Sequence, residues 1–337
     1  MQGMRNFKFF NMWASHDQFL EVVSNHWSYV VYDTPMYVFC RRLKLLKRHL
    51  KELNRLHFSH IFEHVLRLET ELADHQSILQ HDRDNHLLLE HEKPLQSKLS
   101  TLKFAKKQFF SQKIKCNFLK DSDRGSKFFH ALMNHNHRRN FIPAIMTTHG
   151  QLSSSLEEVG AVFVHYFQQL LGTFKITIPL DDAVIHSRPY LSSSSHDLLL
   201  SPVTHEDIRK AIFSIGDDKA PRPDGYSSLF FKQAWHVVGE DLIAAVQDFF
   251  LSGRLLRQVN HSIIALVPKS TNVYSSFDFR PISCCNVIYK VIAKILVGRL
   301  AHALTDIISP MQDSLGGRLM SDNINLVLEL LRQYSRK

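Results

Sequence analysis

Cysteine is scarce in this chain, with 4 in 337 residues and no CxxC among them. Cys40 and Cys116 stand alone, and Cys284 adjoins Cys285. That spacing makes neither a disulfide framework nor a cysteine zinc site, so a reducing compartment is expected. No apolar run approaches 18 residues, which excludes a bilayer-spanning helix. The start, MQGMRNFKFFNMW, has basic residues but no apolar core or small-residue cleavage site behind them, so no secretory signal is expected. An intracellular protein, nuclear or cytoplasmic, fits these absences. Walker-type loops, GxGxxG, HExxH and GxSxG are missing too, which removes the commonest nucleotide, zinc-protease and serine-hydrolase signatures. Acidic residues are in deficit. Asp and Glu number 32 against 41 Lys and Arg, a net charge of +9. An acidic partner is expected, and nucleic acid is the commonest.

What is present is a globular composition, 44% hydrophobic, on a chain long enough for two or three domains. FKFFNMW alternates loosely enough to predict a strand. From about residue 36 to 92 the pattern is helical, with one stripe through Leu43, Leu46, Leu50, Leu53, Leu56, Ile61, Val65, Leu68 and Leu72. Pro94 interrupts it. A second stripe runs through Leu95, Leu99, Leu102, Phe109, Phe110 and Ile114, so a long antiparallel helical hairpin is predicted. LEEVGAVFVHYFQQLLG is a further helix stopping at Gly172, and Tyr190 to His196 reads as a polar linker. Thr204 caps a helix that runs to Ile215. Phe231, Trp235, Val238, Leu242, Val246 and Phe249 line another, which Gly253 ends. HSIIALVPK is the best strand candidate. Helices are predicted over 286–303 and 321–334. The fold class is mainly α with a small β component.

The charges on the predicted hairpin are lopsided. Arg41, Arg42, Lys44, Lys47, Arg48, Lys51 and Arg55 meet Glu52 alone, and Lys106 and Lys107 belong to a second basic stretch. Such a surface suits phosphate backbones, although a solvated helix face accounts for the same residues. His57, His60 and His64 fall on one predicted face, as metal ligands do. No cysteine or carboxylate completes a site, and solvated histidines are the better account. Asp181–Asp182 and Asp217–Asp218 are adjacent carboxylates, the raw material of two-metal chemistry. Neither pair ends a convincing strand, and Asp217–Asp218 read as turn residues. No catalytic residue and no metal ligand set is assigned. In KAPRPDG, prolines stiffen a turn that presents Lys219 and Arg222.

Taken in order, several segments resemble one family. KAPRPDGYSSLFFKQAW, HSIIALVPK, FRPISCCNVIYKVIAKILVGRL and ISPMQDSLGGRLMSDNI are similar to the start of the reverse-transcriptase domain of plant LINE-type (non-LTR) retrotransposon polyproteins. RPISCCNVIYK, residues 280–290, is the most specific piece. SDRGSKFFHALMNHNHRRN resembles the family's Asp-x-Asn-Thr-x-Phe-Phe-His segment, and RNFKFFNMWASH resembles the last strand of its endonuclease. The resemblance implies an endonuclease remnant over 1–26, a basic helical linker over 27–150, a helix and polar linker over 151–200, and a palm-less fingers region over 201–337.

The same resemblance implies site roles. Lys269 and Arg280 match a fingers hairpin that approaches the incoming nucleotide's phosphates. Lys219 and Arg222 match a template-side loop, and Gln312 and Arg318 match an element before the palm. Arg222 stands where the family's Pro-Gly-Pro has glycine, and QDSLGGR is one residue short of its pattern. The family holds magnesium through palm carboxylates that are expected beyond Lys337, and no aromatic-x-Asp-Asp or Ser-Asp-His occurs here. The chain is therefore expected to be a fragment of such a reverse transcriptase, inactive as a polymerase, with RNA or DNA as its partner, no cofactor of its own and no membrane. A non-catalytic nucleic-acid-binding module or an inert pseudogene product is the alternative.

Overall fold

The computed structural model describes residues 7–308 apart from 82–84, 115–125, 149, 175–176, 178, 180, 188, 220, 222 and 272. Arg222, Gln312, Arg318 and the helix predicted over 321–334 lie outside the described residues. The chain is mainly helical with a small two-stranded sheet, as the periodicity predicts. No described helix is long and apolar enough to cross a membrane.

The first described stretch corrects an expectation. FKFFNMW is not a strand: Asn11–Ser15 form a 3₁₀ turn, and the residues before it are extended but unladdered. Their backbone meets a loop rather than a strand, with the Phe9 N–H donating to the Gly225 carbonyl at 2.8 Å. Phe9 is fully buried, edge-on to Trp13 and Phe230. Helix α1, Phe19–Trp27, then buries Phe19, Val23 and Trp27, one residue per turn.

The helix expected over 36–92 is divided among three helices, the third of which only begins within that span. Helix α2, Pro35–His57, begins with proline at its first position, where no N–H is needed. Met36, Phe39, Leu43, Leu46, Leu50 and Leu53 form its buried face. It ends where the N–H groups of Phe58 and Ser59 both reach the Asn54 carbonyl, and His60 takes a left-handed φ of 56°. Helix α3, Ile61–His81, follows, and then α4, His86–Ile114. The antiparallel hairpin is α3–α4, while α2 belongs to the main core. Lys103 pairs with Glu69 at 2.8 Å, and Gln76 donates to Glu92 at 2.7 Å, fixing the register. Asn85 caps α4 by accepting from Leu87 N–H at 3.1 Å. Pro94 lies inside α4 and does not end it. A mid-helix proline costs about 3 kcal/mol. Here it sits on an exposed face, and the continuous stripe through Leu95, Leu99 and Leu102 packs on the core.

Helix α5, Ser126–Asn140, packs on α4. A short loop then leads to α6, Leu156–Gly172, which Ser155 caps by accepting from Glu158 N–H. The small helices α7, Asp182–His186, and α8, Ser193–Leu200, follow, so half of the expected polar linker is helical. Helix α9, His205–Phe213, carries a reciprocal cap between Thr204 and Asp207. Helix α10, Ser228–Gln233, runs into α11, Trp235–Ser252, which Gly253 ends with φ 67°. After α12, Arg257–Asn260, strands β1, Ile263–Pro268, and β2, Phe279–Cys284, pair antiparallel. Helix α13, Val287–Ile307, closes the described chain.

One large core joins the first described residues to α13. It takes in Phe9, Trp13, Phe39, Leu46, Tyr226, Phe231, Leu242 and Val291 among others. The residues expected to be an endonuclease remnant and a linker thus pack against 203–295. A second core holds Ile145, Phe163, Phe167 and Phe279 and seats the β-hairpin on α6.

Two predictions follow from this packing. Gly225 has φ 90°, and a Cβ there would lie 2.3 Å from the Phe7 carbonyl oxygen. Gly225→Ala is expected to cost on the order of 2–3 kcal/mol in urea unfolding. Gly298→Ala, in α13 with open space around it, is expected to gain a few tenths. Equal midpoints for the two variants would contradict the anchoring.

The second concerns pH. His16 and His57 rings lie 4.1 Å apart, and His26 and His49 are stacked at 3.5 Å, so both pairs join the N-terminal segment to α2. Burial and then His57 hold His16 below its ordinary value, with Asp17 opposing. Burial, His26 and Arg48 do the same to His49. Depressed folded-state values mean that the unfolded chain binds the protons first. The stability is therefore present above the unfolded value of about 6.5 and is lost as pH falls through it towards the folded values. A melting temperature lower at pH 5.5 than at pH 8 is expected, and His16→Gln with His49→Gln should flatten the difference.

Candidate nucleic-acid interface

The site is built on α2, whose helical geometry separates two opposed faces. The buried stripe from Met36 to Leu53 points into the core. Arg41, Lys44, Arg48, Lys51 and Arg55 recur at three- and four-residue steps on the opposite side, and all are exposed. At 1.5 Å per residue the ridge is about 21 Å long. Glu52 interrupts its charge only at the end, where Arg55 holds it at 2.5 Å.

The other cations expected here divide. Arg42 leaves the surface: its guanidinium binds Asp241 Oδ2, and its Nε donates to the Tyr29 carbonyl at 3.2 Å. Trp27 Nε1 donates to the same carboxylate oxygen at 2.6 Å. Arg42 therefore fastens α2 to α11 and to the loop after α1. Lys47 lies on the flank of α2, its ammonium 5.4 Å from the Phe7 ring centre and 5.9 Å from that of Tyr226. Burial holds its pKa below the ordinary lysine value, Lys44 and Lys51 add to that, and Asp224 opposes. On α4, Lys106 rests 5.6 Å from the Phe62 ring centre, and Lys107 is exposed.

Lys47 connects the ridge to the KAPRPDG loop. Asp224 Oδ1 accepts from Tyr226 N–H at 2.9 Å, closing the turn, and its own N–H donates to Asn286 at 3.1 Å. Asn286 in turn donates to the Gln258 and Val259 carbonyls, at 3.0 and 3.2 Å. Tyr226, fully buried, donates its hydroxyl to the Leu43 carbonyl of α2 at 2.8 Å. Burial raises that phenol well above its ordinary value and pushes the nearby Cys40 thiol up to about 12, so both stay protonated. Lys219 is exposed at the loop's start, 3.6 Å from Asp218. The Asp224–Tyr226 end of the loop is thus tied to α2 and to Asn286 in one hydrogen-bonded frame.

The carboxylate pairs serve structure. Asp217 binds the Lys232 ammonium at 2.6 Å, and that ammonium also donates to the Ile215 carbonyl at 2.6 Å. Asp181 caps its own turn by accepting from Ala183 N–H at 2.9 Å. The expected histidine face is also dismantled, because the break before α3 intervenes. His57 lies on His16, and His60 turns to Glu63 at 3.4 Å. Among the described residues no group of three or more His, Cys, Asp or Glu could hold a metal ion.

The β-hairpin is separate. Register pairs Val267 with Arg280, and Lys269 stands two residues on from Val267, so both cations occupy one face. The opposite face carries Phe279 onto Phe163 of α6. Lys269 is engaged within the hairpin, donating to the Phe277 carbonyl at 2.6 Å with its ammonium 3.9 Å from the Phe277 ring centre. Arg280 is exposed.

The sequence reading missed Lys232, Asn286 and Asp241. Asn286 stands at the N-cap position of α13, where asparagine is favoured, but its side chain makes no cap hydrogen bond and binds the loop and the Gln258 and Val259 carbonyls instead. Asp241 carried none, because its partners are 199 and 214 residues away.

No protein-family model matches this chain. It is similar to the transposon TX1 uncharacterized 149 kDa protein of Xenopus laevis, with 27% identity over 212 residues. The match covers 63% of this chain and 16% of that protein.

Proposed function

We propose that this chain is a retrotransposon-derived nucleic-acid-binding piece, akin to the linker and fingers side of a LINE-type reverse transcriptase, without polymerase activity of its own. The observation that carries the binding is the α2 ridge: five cations on one exposed helical face, with one acid, already paired, beside them. Helical spacing presents these charges along a line, as a phosphate backbone presents its own. The similarity to a transposon protein supports the retrotransposon part. Lys219 extends the cationic surface to the loop that α2 supports, and Lys269 and Arg280 offer charge on the hairpin.

The lack of chemistry is supported by the roles of the carboxylates. Asp217 is held by Lys232, Asp241 by Arg42, and Asp181 by its own turn. The sequence has no aromatic-x-Asp-Asp. Phosphoryl transfer needs carboxylates free to hold two metal ions close together.

Binding at 50 mM salt should weaken linearly on a log–log plot, with a slope of roughly −0.7 to −0.9 per phosphate neutralised. Replacing Arg41, Lys44, Arg48 and Lys51 with alanine should flatten that slope by about 3. Arg42→Ala should instead lower the unfolding free energy by about 1–2 kcal/mol and leave the salt slope alone, because that side chain is part of the frame. A wild-type chain that binds no RNA or DNA at 50 mM salt would end the reading.

For the chemistry, the chain is mixed with primed RNA, deoxynucleotides and magnesium. No incorporation above a heat-killed control is expected. Extension that survives repurification would overturn the inactive assignment.

A further inference from the structure

The head of the ridge is aromatic. Tyr29 is 43% exposed, Tyr32 94% and Tyr37 37%, with Val30 at 72% among them. Tyr37 stands four residues before Arg41, so it shares the face of Arg41, Lys44, Arg48, Lys51 and Arg55, about one turn from the first of them. Tyr29 and Tyr32 lie on the loop between α1 and α2, and that loop is held in place. Arg42 donates to the Tyr29 carbonyl at 3.2 Å, and Asp33 Oδ1 accepts from Thr34 N–H at 2.7 Å. The one carboxylate in this loop is thereby turned onto the backbone at the start of α2.

Rings and cations in this order discriminate between nucleic acids. A duplex keeps its base faces inside the stack and meets a cationic ridge through phosphates alone. An unpaired strand offers a base face with each phosphate, and exposed aromatic rings beside a cationic track take up both. A protein partner explains the arrangement less well, since cations continue for about 15 Å beyond the rings, from Arg41 to Lys51, before Glu52 intervenes, where a protein interface core is depleted of charge.

We propose that the α2 ridge and its tyrosine head bind single-stranded nucleic acid, the ridge holding phosphates and Tyr29, Tyr32 and Tyr37 stacking on unpaired bases. This rests on the ridge reading given under Proposed function.

The test uses the full chain, a fluorescently labelled single-stranded RNA of about 20 nucleotides, and the same strand annealed to its complement, at 50 mM salt. The single strand is expected to bind at least about tenfold more tightly than the duplex. Replacing all three tyrosines with alanine should remove that difference and leave duplex affinity unchanged, while replacing them with phenylalanine should keep it. If the alanine variant melts early, the phenylalanine variant and Tyr32→Ala alone carry the comparison, because Tyr32 is almost wholly in solvent. Equal wild-type affinity for strand and duplex would overturn the proposal, as would an alanine variant that binds the strand like wild type. Altered self-association in light scattering with RNA binding untouched would make the tyrosines a protein contact and also defeat it. The ridge variant separates the two readings. If it weakens both probes while the tyrosines do nothing, only the stacking fails. If neither probe binds wild type, both fail.

Discussion

The structure depends on one junction, where the turn Asp224–Gly225–Tyr226 is clamped between the N-terminal segment and α2. The Gly225 carbonyl takes the Phe9 N–H, and the Tyr226 hydroxyl reaches the Leu43 carbonyl. These bonds join residues about 180 to 215 positions apart, so they close very long loops. Loop closure of that length costs only slightly more than closure of a short one. The enclosed aromatics supply the compensation: Phe9, Trp13, Phe230 and Phe231 surround Tyr226 or its neighbours edge-on or tilted. Burying rings of this size is worth about 2–3 kcal/mol apiece. Glycine is required because the Phe7 carbonyl passes where any side chain would begin.

That junction orients the basic ridge. Once Leu43 and its stripe are fixed against Tyr226 and α11, the opposite face of α2 must look outward, and its charges go with it. Lys47 sits between the two faces, close enough to Asp224 to be partly compensated and buried enough to be held below its ordinary pKa. A ridge of like charge repels itself. Exposure to water and salt keeps that repulsion small, so the core decides the helix's placement and the charge is carried on it.

The sequence disclosed some of this and concealed the rest for identifiable reasons. The amphipathic stripes of α2, α4 and α11 were legible, because a period of 3.6 survives any tertiary context that buries one face. The caps at Thr204 and Gly253 were legible because they are local. The break between α2 and α3 was not, since the apolar stripe runs through it and no glycine or proline marks it; His60 takes the left-handed turn instead. Pro94 misled in the opposite direction. It reads as a terminator, yet tertiary packing of Leu99 and Leu102 favours a continuous α4. FKFFNMW read as a strand because its partner, a loop carbonyl, lies beyond local pattern. On α2, counting charges could not separate Arg42 from Arg41, although helical phase places them on different sides. Phase alone then could not say that Asp241 would be waiting for Arg42.

The acids complete the argument, because they explain how a moderately basic chain comes to display so strongly basic a face. Asp217 is drawn to Lys232, Asp241 to Arg42 and Trp27, Asp224 to its own turn, and Asp306 to the Ser192 cap. Each holds two segments or closes a turn, and each is thereby fixed away from the α2 ridge. Had Asp241 paired with Arg41 rather than Arg42, the ridge would have lost its first cation and the frame a clamp. The frame consumes carboxylates, and what it leaves on the exposed face of α2 is predominantly positive. The same arrangement holds these carboxylates apart from the proposed binding surface. Under the proposed reading, such a surface meets a polyanion through its charge.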